Sequence, residues 1–453
     1  MSSEKNKYQD QSLFNLTWPL FIEISLHMSV GIIATLILSG YSDNAVAGVG
    51  VANQIMNIFI LVFNVTAIGA TILIGQNLGA NRIKEARSIA RSAFGLNFWI
   101  GIGMTVVVAV FGGIFLNFYG LSGEVYSYAH TYLVVAGLSL CLEAVALALS
   151  AVLRSYGHTR ETMFVTIMMN VISIIGFLIA INGLFGIPVT GVVGVSVSII
   201  VARLFLVLAL LFFVFKRLAI RYRINDILKI DKTNTKNLMS IGIPSAGEQL
   251  SYQLSQVVIT SFVAIVGDAA LAARVYILNI SMFCFMFTMA ISQGTQILVA
   301  RYVGAKQYER TLKRGLKTLQ IAFFISIVIS FIIAFTGKNL LGLFTEEPMI
   351  IAVALPVLWA IVFIEPGRAV NMVLMGSLKS VGDVRFPVII GIISMWGLAV
   401  VLSYVFGISL GLGLLGVWLA QGVDEWVRGI FAYRRWKSQP WLRKKVMRDP
   451  ASV

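Results

Sequence analysis

About twelve apolar segments, each long enough to cross a lipid bilayer, follow one another along the chain and restrict its fold more than any other feature. A bilayer core about 30 Å thick is crossed by about 20 apolar residues of helix. Lipid offers no hydrogen bonds to open backbone, so such segments are predicted to be helical. The predicted fold class is an all-α integral membrane protein with about twelve transmembrane helices. We place the helices near residues 14–38, 47–76, 93–117, 127–152, 161–182, 190–215, 237–266, 270–301, 316–336, 350–377, 386–406 and 412–434.

The composition supports a membrane protein and excludes several other classes. The chain is 58% hydrophobic, with 12% charged residues, whereas soluble domains are roughly 45–50% apolar. The formal net charge of +15 does not indicate nucleic-acid binding, because the basic residues are not gathered on one exposed domain. Cys141 and Cys284 lie in apolar segments, which excludes a disulfide framework. Since GxxxxGK[ST], HExxH and G-x-S-x-G motifs are missing, we expect neither an enzyme nor a bound cofactor or metal.

Lysine and arginine are concentrated in alternate connections between the apolar segments. By the positive-inside rule these connections and both termini are predicted to be cytoplasmic. The predicted domains are an N-terminal six-helix lobe at residues 1–215, a basic cytoplasmic linker at 216–236, a C-terminal six-helix lobe at 237–435 and a basic cytoplasmic tail at 436–453.

The two halves of the chain repeat each other at an offset of 225 residues. Pro19 and Glu23 recur as Pro244 and Glu248, since 244 − 19 and 248 − 23 both give 225. Further matches pair SDNAVAG with GDAALAA and LRSYGHTR with LKSVGDVR; in the last helices GVVGV matches GLLGV with a slip of three residues. Six spans per copy is an even number, so the halves share one orientation. They are therefore predicted to be related by a pseudo-twofold axis along the membrane normal, as in many secondary transporters.

Several motifs in this order resemble one known family over essentially the whole chain. They are WPLFIE, SDNAVAGVGVANQ, GQNLGANR, LRSYGHTR, GIPSAGEQ, FIEPGRAVN, LKSVGDVRFP and GVWLAQGVDEWVR. With the twofold repeat of six helices, they make the chain similar to the multidrug and toxic compound extrusion (MATE) transporters. The resemblance implies two lobes enclosing a cavity that faces either side in turn. It also implies export of organic cations driven by entry of protons or sodium ions.

Carboxylates inside the apolar segments are the candidate functional residues, because a charge in hydrocarbon is costly and usually serves a function. Candidate cation-coupling residues are Glu248, Glu365, Asp424 and Glu23. Arg368 and Arg428 follow two of them at helical spacing, so structural neutralisation and chemistry stay equally open for those acids. The candidate substrate-binding residues, expected between the lobes near the bilayer midplane, are Glu248, Tyr252, Gln253, Gln256, Glu23 and His27.

One position departs from the family and shifts the expected coupling site. Many members have an aspartate directly before a threonine in the first helix, where this chain has Ala34 before Thr35. The resemblance therefore implies that the usual N-lobe cation site is lost. We expect coupling to depend on the remaining acids. Glu248 ranks first because no basic residue lies at helical spacing from it, and Glu365 ranks second because Arg368 is near.

The sequence thus predicts a secondary transporter of the cell membrane that exports amphipathic organic cations in exchange for protons or sodium ions. We expect a monomer in the lipid bilayer with no nucleic-acid partner. A flippase for lipid-linked precursors is the main alternative, and it would be expected to have several basic residues in its cavity. A non-transporting scaffold or receptor is a further alternative, against which the acids at Glu23 and Glu248 count.

Overall fold

The computed structural model describes residues 11–121, 123–186, 188–222 and 231–443, and this part of the chain forms thirteen long helices and two short 3₁₀ helices, Leu184–Gly186 and Pro440–Arg443. The predicted N-terminal residues 1–10, the linker residues 223–230 and the tail residues 444–453 lie outside the described residues. The helices are α1 Leu13–Ser39, α2 Asp43–Gly79, α3 Ile83–Asn117, α4 Gly123–Gly137, α5 Leu140–Ser155, α6 Thr159–Asn182, α7 Gly191–Leu218, α8 Lys232–Val266, α9 Asp268–Gly304, α10 Tyr308–Gly342, α11 Pro348–Ser380, α12 Arg385–Ser409 and α13 Gly413–Lys437.

These helices account for every predicted span. Ten of the described helices are long and apolar enough to cross a membrane, and α4 with α5 meet the same criterion only as a pair, which is bent by 51°. The sequence predicted one helix at 127–152, and the structure breaks it between Gly137 and Leu140. Helix α13 covers the twelfth predicted segment, at 412–434, but its ionisable residues leave it outside that set of apolar helices. The prediction of an all-α membrane protein is confirmed.

The chain divides into two compact units. The first unit contains residues 1–11 and Trp18–Ile243, and the second contains Ser12–Thr17 and Pro244–Val453. The divisions lie inside α1 and α8, directly before Trp18 and Pro244. Because 244 − 18 gives 226, both divisions fall at nearly the same position of the repeat. The short N-terminal parts of α1 and α8 are therefore exchanged between the units.

We call these exchanged parts the first arm, Ser12–Thr17, and the second arm, Lys232–Ile243. In the second unit, Leu16 of the first arm packs with Ile297 and Leu298. In the first unit, a Cβ added to Gly69 would lie 2.6 Å from the carbonyl oxygen of Leu238 in the second arm. Each arm therefore packs closely against a second helix of the repeat, α9 or α2.

Helices α11 and α13 make the most extensive contact between helices of the second unit. Their close approach requires a small residue, since a Cβ at Gly422 would lie 2.8 Å from Ile364. The surrounding core contains Leu358, Val417 and Trp418. Helix α12 crosses beside them and contains two π-helical segments, Met395–Val400 and Val405–Ser409. This packing holds the ionisable residues of α11 and α13 inside the unit.

Candidate functional site

The glutamates that follow the two repeated prolines each form an ion pair with a base on another helix. In the second unit, Lys379 Nζ lies 2.6 Å from Glu248 Oε2. In the first unit, Arg154 Nη2 lies 3.7 Å from Glu23 Oε1, and Thr162 Oγ1 donates a hydrogen bond of 3.1 Å to Glu23. Since 379 − 154 gives 225, the repeat preserves this pair. Helical spacing within α8 could not show the partner of Glu248, because Lys379 belongs to α11.

Five ionisable side chains form a buried network, which we call the acidic network, between α11 and α13. Arg368 pairs with Glu365 and lies 3.5 Å from Glu425. Arg428 lies 3.3 Å from Glu425 and 2.5 Å from Asp424. Glu365 is 1% exposed and Asp424 is 3% exposed. Three carboxylates face two guanidinium groups, so the network has a net charge of −1 when all its members are ionised.

Two oxygen atoms in and beside the acidic network have no hydrogen bond within the part of the chain that the structure describes. Asn371 donates a hydrogen bond of 2.7 Å to Glu425. Among the described residues, Glu365 Oε2 and Asn371 Oδ1 have no hydrogen bond. A buried polar atom without a partner costs about 1–3 kcal/mol. Within the same residues, no group of three or more His, Cys, Asp or Glu side chains is arranged to hold a metal ion. A proton or a small cation at the Glu365 carboxylate would offset the excess negative charge of the network.

Hydroxyl and amide groups from neighbouring helices complete the surroundings of the acidic network. Ser394, directly before the first π-helical segment of α12, donates to Asp424. Gln256 of α8 donates to Gln421 of α13 over 3.4 Å. Its own side-chain oxygen accepts a hydrogen bond of 2.9 Å from Arg274, whose guanidinium lies 5.2 Å from the ring centroid of Trp418. Gln256, predicted to contact substrate, is thus held by other side chains.

The remaining predicted substrate contacts are exposed. Tyr252 is 39% exposed, and Gln249 and Gln253 are exposed beside it on α8. In the first unit, His27 is exposed on α1. Polar side chains that are exposed along a membrane-spanning helix favour a water-filled cavity over lipid. The structure therefore brings Glu365, Asp424 and Gln256 into or beside one buried cluster and leaves Tyr252, Gln253 and His27 on exposed faces.

The first unit has a simpler counterpart of the acidic network with its charges reversed. Arg203 Nε lies 2.9 Å from Glu143 Oε2, and Arg203 also donates to Ser139 over 2.6 Å. These positions correspond to Arg368 and Glu425, since 368 − 143 gives 225 and 425 − 203 gives 222, the offset after the three-residue slip. The other members of the network, Glu365, Asp424 and Arg428, correspond to Leu140, Ala202 and Leu206. The first unit thus retains a neutral pair where the second has three acids and two arginines.

Lys379, Asn371, Arg274 and Ser394 were not predicted as parts of the site. Lys379 could have been found by applying the 225-residue offset to Arg154, since both basic residues lie in matching motifs. Asn371 ends the motif FIEPGRAVN, but no spacing rule connects it with Glu425 on another helix. Contacts between helices are therefore the information that the sequence lacked.

Comparisons with known proteins identify relatives over nearly the whole length of the chain. The sequence profile of the family MatE matches residues 19–179 and 244–405. The "Uncharacterized transporter YisQ" of Bacillus subtilis is 46% identical over 96% of this chain and 95% of its own length. The "Probable multidrug resistance protein NorM" of Thermotoga maritima is 28% identical over 96% of this chain and 94% of its own. A solved structure of a MOP superfamily transporter from Pyrococcus furiosus has a TM-score of 0.87 at 20% identity, covering 96% of this chain and 97% of that one.

Proposed function

Because the chain belongs to the MatE family of transporters, we propose that it exports amphipathic organic cations across the cell membrane in exchange for protons or sodium ions. The names of several relatives, such as "Probable multidrug resistance protein NorM", support small-molecule export. The relative from Bacillus subtilis is named only as a transporter. The substrate class and the coupling ion are thus argued from the site.

The acidic network is the observation that carries this proposal. Its three acids outnumber its two arginines, and Glu365 keeps one buried oxygen without a partner among the described residues. Burial opposes the net negative charge, so binding of a proton or cation is favoured there. A cationic substrate nearby would favour the ionised network and so compete with the coupling ion. Each ligand can then shift the protein between its two states only by its difference in affinity for them.

Among the acids, the contacts favour Glu365 over Glu248 as the principal coupling residue. Glu248 Oε2 is compensated by Lys379 at 2.6 Å, and its side chain is 17% exposed against 2% for Glu365. Arg368, in contrast, is shared by Glu365 and Glu425. Glu248, with a base at 2.6 Å and access to water, therefore has less need of a coupling ion. We assign Glu248 and Glu23 to ion pairs near the ends of α11 and α5. We assign Glu365 and Asp424 to the exchange itself.

The paired state of the basic residues argues against a flippase for lipid-linked precursors. Such a protein would need cations free to bind a pyrophosphate group. Arg368, Arg428 and Lys379 each face a carboxylate. The exposed surface of α8 instead offers the amides of Gln249 and Gln253 and the ring of Tyr252. Neutral polar groups and an aromatic ring suit an amphipathic cation, which the ring can bind through its π face.

Dye efflux from proteoliposomes tests the proposal. Protein is reconstituted with a fluorescent organic cation inside, and a proton gradient and a sodium gradient are imposed in separate experiments. We expect one gradient to drive efflux in the wild type. Glu365→Gln should reduce the initial rate at least tenfold, because the neutral amide cannot exchange a charge. The matched control is Glu309→Gln, which removes an acid that is 79% exposed at the start of α10. Absence of efflux under both gradients would refute transport of cations, and full efflux by Glu365→Gln would refute the coupling site.

A further inference from the structure

A groove of about 410 Å³ lies on the surface of the second unit between α10 and α13, outside the acidic network. The residues that line it are Leu319, Gln320, Phe323, Val370, Trp426, Gly429, Ile430, Tyr433 and Arg434. At the bottom of the groove α13 approaches α11 closely. A Cβ at Gly429 would lie only 3.0 Å from Val370 Cγ1, so this approach requires a residue without a side chain. Since most of its lining residues are apolar and it opens on the surface of helices predicted to span the membrane, it suits a hydrocarbon chain.

An aromatic wall fixes the shape of this groove. Trp426 Nε1 donates a hydrogen bond of 2.9 Å to the carbonyl oxygen of Phe363. The indole stacks on the Phe363 ring with centroids 5.7 Å apart and meets the edge of Phe323 at 6.3 Å. A side chain held by a hydrogen bond and two ring contacts loses little further freedom when a ligand binds beside it. The groove is therefore preorganised for an occupant.

One end of the groove is basic. Helix α10 begins and α13 ends at the same level, since Trp436 donates to the carbonyl oxygen of Leu312 over 3.3 Å. Arg434 lines the groove near this end, and Lys317 and Lys437 lie one helical turn along the chain from Gln320 and Arg434; all three basic residues are exposed. Throughout the described ranges, the side chains of these three residues form no ion pair or hydrogen bond. Three free cations beside an apolar groove complement an anionic headgroup attached to an acyl chain.

We propose that this groove binds one anionic phospholipid of the surrounding bilayer. One acyl chain lies along Phe323, Val370 and Ile430, and the phosphate is held by Arg434 and Lys317. The polar lining residues Gln320 and Tyr433 lie close to these cations along their helices and would hydrogen-bond the glycerol region. The positive-inside prediction places this end of α10 and α13 in the cytoplasmic leaflet.

The first unit provides an internal comparison, because the repeat replaces each polar residue of the groove. With the offset of 225 for α10, Lys317 and Gln320 correspond to Ser92 and Gly95. With the offset of 222 for α13, Tyr433 and Arg434 correspond to Leu211 and Phe212. In the first unit Ser92 and Gly95 are buried, and Asn234 of the second arm donates a hydrogen bond of 3.2 Å to Ser92. This face of α3 is thus covered where Lys317 and Gln320 of α10 are exposed. Among the described residues, the open groove with basic groups at its end is therefore a feature of the second unit.

Native mass spectrometry of the purified full chain with phosphatidylglycerol or phosphatidylcholine of identical acyl chains tests the proposal. We expect the wild type to prefer phosphatidylglycerol. Lys317→Gln with Arg434→Gln should weaken its binding about thirtyfold, since each basic residue contributes about 1 kcal/mol to anionic lipid binding and 1.36 kcal/mol is tenfold. Ile430→Trp should weaken binding of the same lipid with every charge intact, because it fills the groove.

The control variant combines Lys306→Asn with Arg310→Gln, which removes two exposed charges at the same end of the unit but outside the groove. It should bind phosphatidylglycerol as the wild type does. A phosphatidylglycerol with a photoactivatable acyl chain should label peptides containing residues 319–323 or 426–434. Equal binding of the two lipids, equal weakening in the control, unchanged binding in both groove variants, or labelling only elsewhere would each overturn the proposal. Size-exclusion profiles confirm that every variant is folded.

Discussion

Exchanging the acid and the base of the buried ion pair in the first unit tests one consequence of the repeat. The repeat preserves an ion pair between these two helices, whichever helix has the acid. Glu143 and Arg203 are 12% and 13% exposed, and their charged atoms are 2.9 Å apart. The variants are Glu143→Arg, Arg203→Glu and the double exchange. The double variant gives the first unit the same order of charges that Arg368 and Glu425 have in the second. We expect each single variant to be severely destabilised and the double variant to recover.

The magnitudes follow from the burial of the pair. Breaking a buried pair costs about 3–5 kcal/mol, and the partial exposure of this one leads us to expect about 3 kcal/mol for each single variant. In a unit of this size, 1 kcal/mol shifts the unfolding temperature by about 2–4 °C, so we expect a loss of about 6–12 °C. The double variant should recover all but about 1 kcal/mol, the net value of the hydrogen bond that Arg203 donates to Ser139.

The assay is the loss of monodisperse protein after heating in detergent, which reports an apparent unfolding temperature. The matched control is the same exchange at Glu309 and Lys313, an i,i+4 pair whose side chains are 79% and 73% exposed. There the single and double variants should all lie within about 1 kcal/mol of the wild type. A double variant at Glu143 and Arg203 that is no more stable than its singles would refute the equivalence of the two pairs. Efflux should survive the double exchange, because we place coupling in the second unit.

Three further predictions concern transport, topology and packing. Glu248→Gln should reduce gradient-driven efflux by less than Glu365→Gln does in the same proteoliposomes; a greater loss would return the coupling role to Glu248. Single cysteines at Asn234 and Glu346, in a background without the native cysteines, should label from opposite sides of intact cells, and labelling of both from outside would refute a cytoplasmic linker. Gly69→Ala should lower the apparent unfolding temperature by several degrees, because its Cβ would meet the second arm. The control Gly103→Ala, with no atom within 4 Å of its Cβ, should not lower it. Equal effects of the two variants would show that the second arm moves aside without loss of stability.

The positions of the helices could be predicted from the sequence because hydropathy and charge act along the chain. Even α13 was found as the apolar segment at 412–434, although Asp424, Glu425 and Arg428 lower its hydropathy. The break between Gly137 and Leu140 was not predicted, because apolar residues continue through it. A window of hydropathy detects length and polarity but not a change of helix direction.

The candidate site could be predicted only in part. Buried acids are conspicuous in apolar segments, so Glu365 and Asp424 were identified as candidates. The partners Arg368 and Arg428 could be found because they follow their acids at helical spacing on the same helix. Asn371 could not, because it donates to Glu425 from another helix. Ranking Glu248 above Glu365 depended on bases within one helix, and the contact between Lys379 on α11 and Glu248 is the reason why we propose the reverse order. Interhelical neighbours are a property of packing, which periodicity along one segment does not encode.

The exchanged arms give the chain the topology of a domain-swapped dimer whose two protomers have been joined end to end. In such a dimer each protomer supplies a segment to the core of its partner, so neither protomer has a complete core alone. A fragment that ends at residue 222 would therefore lack Lys232–Ile243 and expose the surface around Gly69 that the second arm covers. A fragment that begins at residue 231 would lack Ser12–Thr17, which packs Leu16 against Ile297 and Leu298. We therefore expect the two halves to be stable only when they are produced together, because each half then supplies the arm that packs in the other unit.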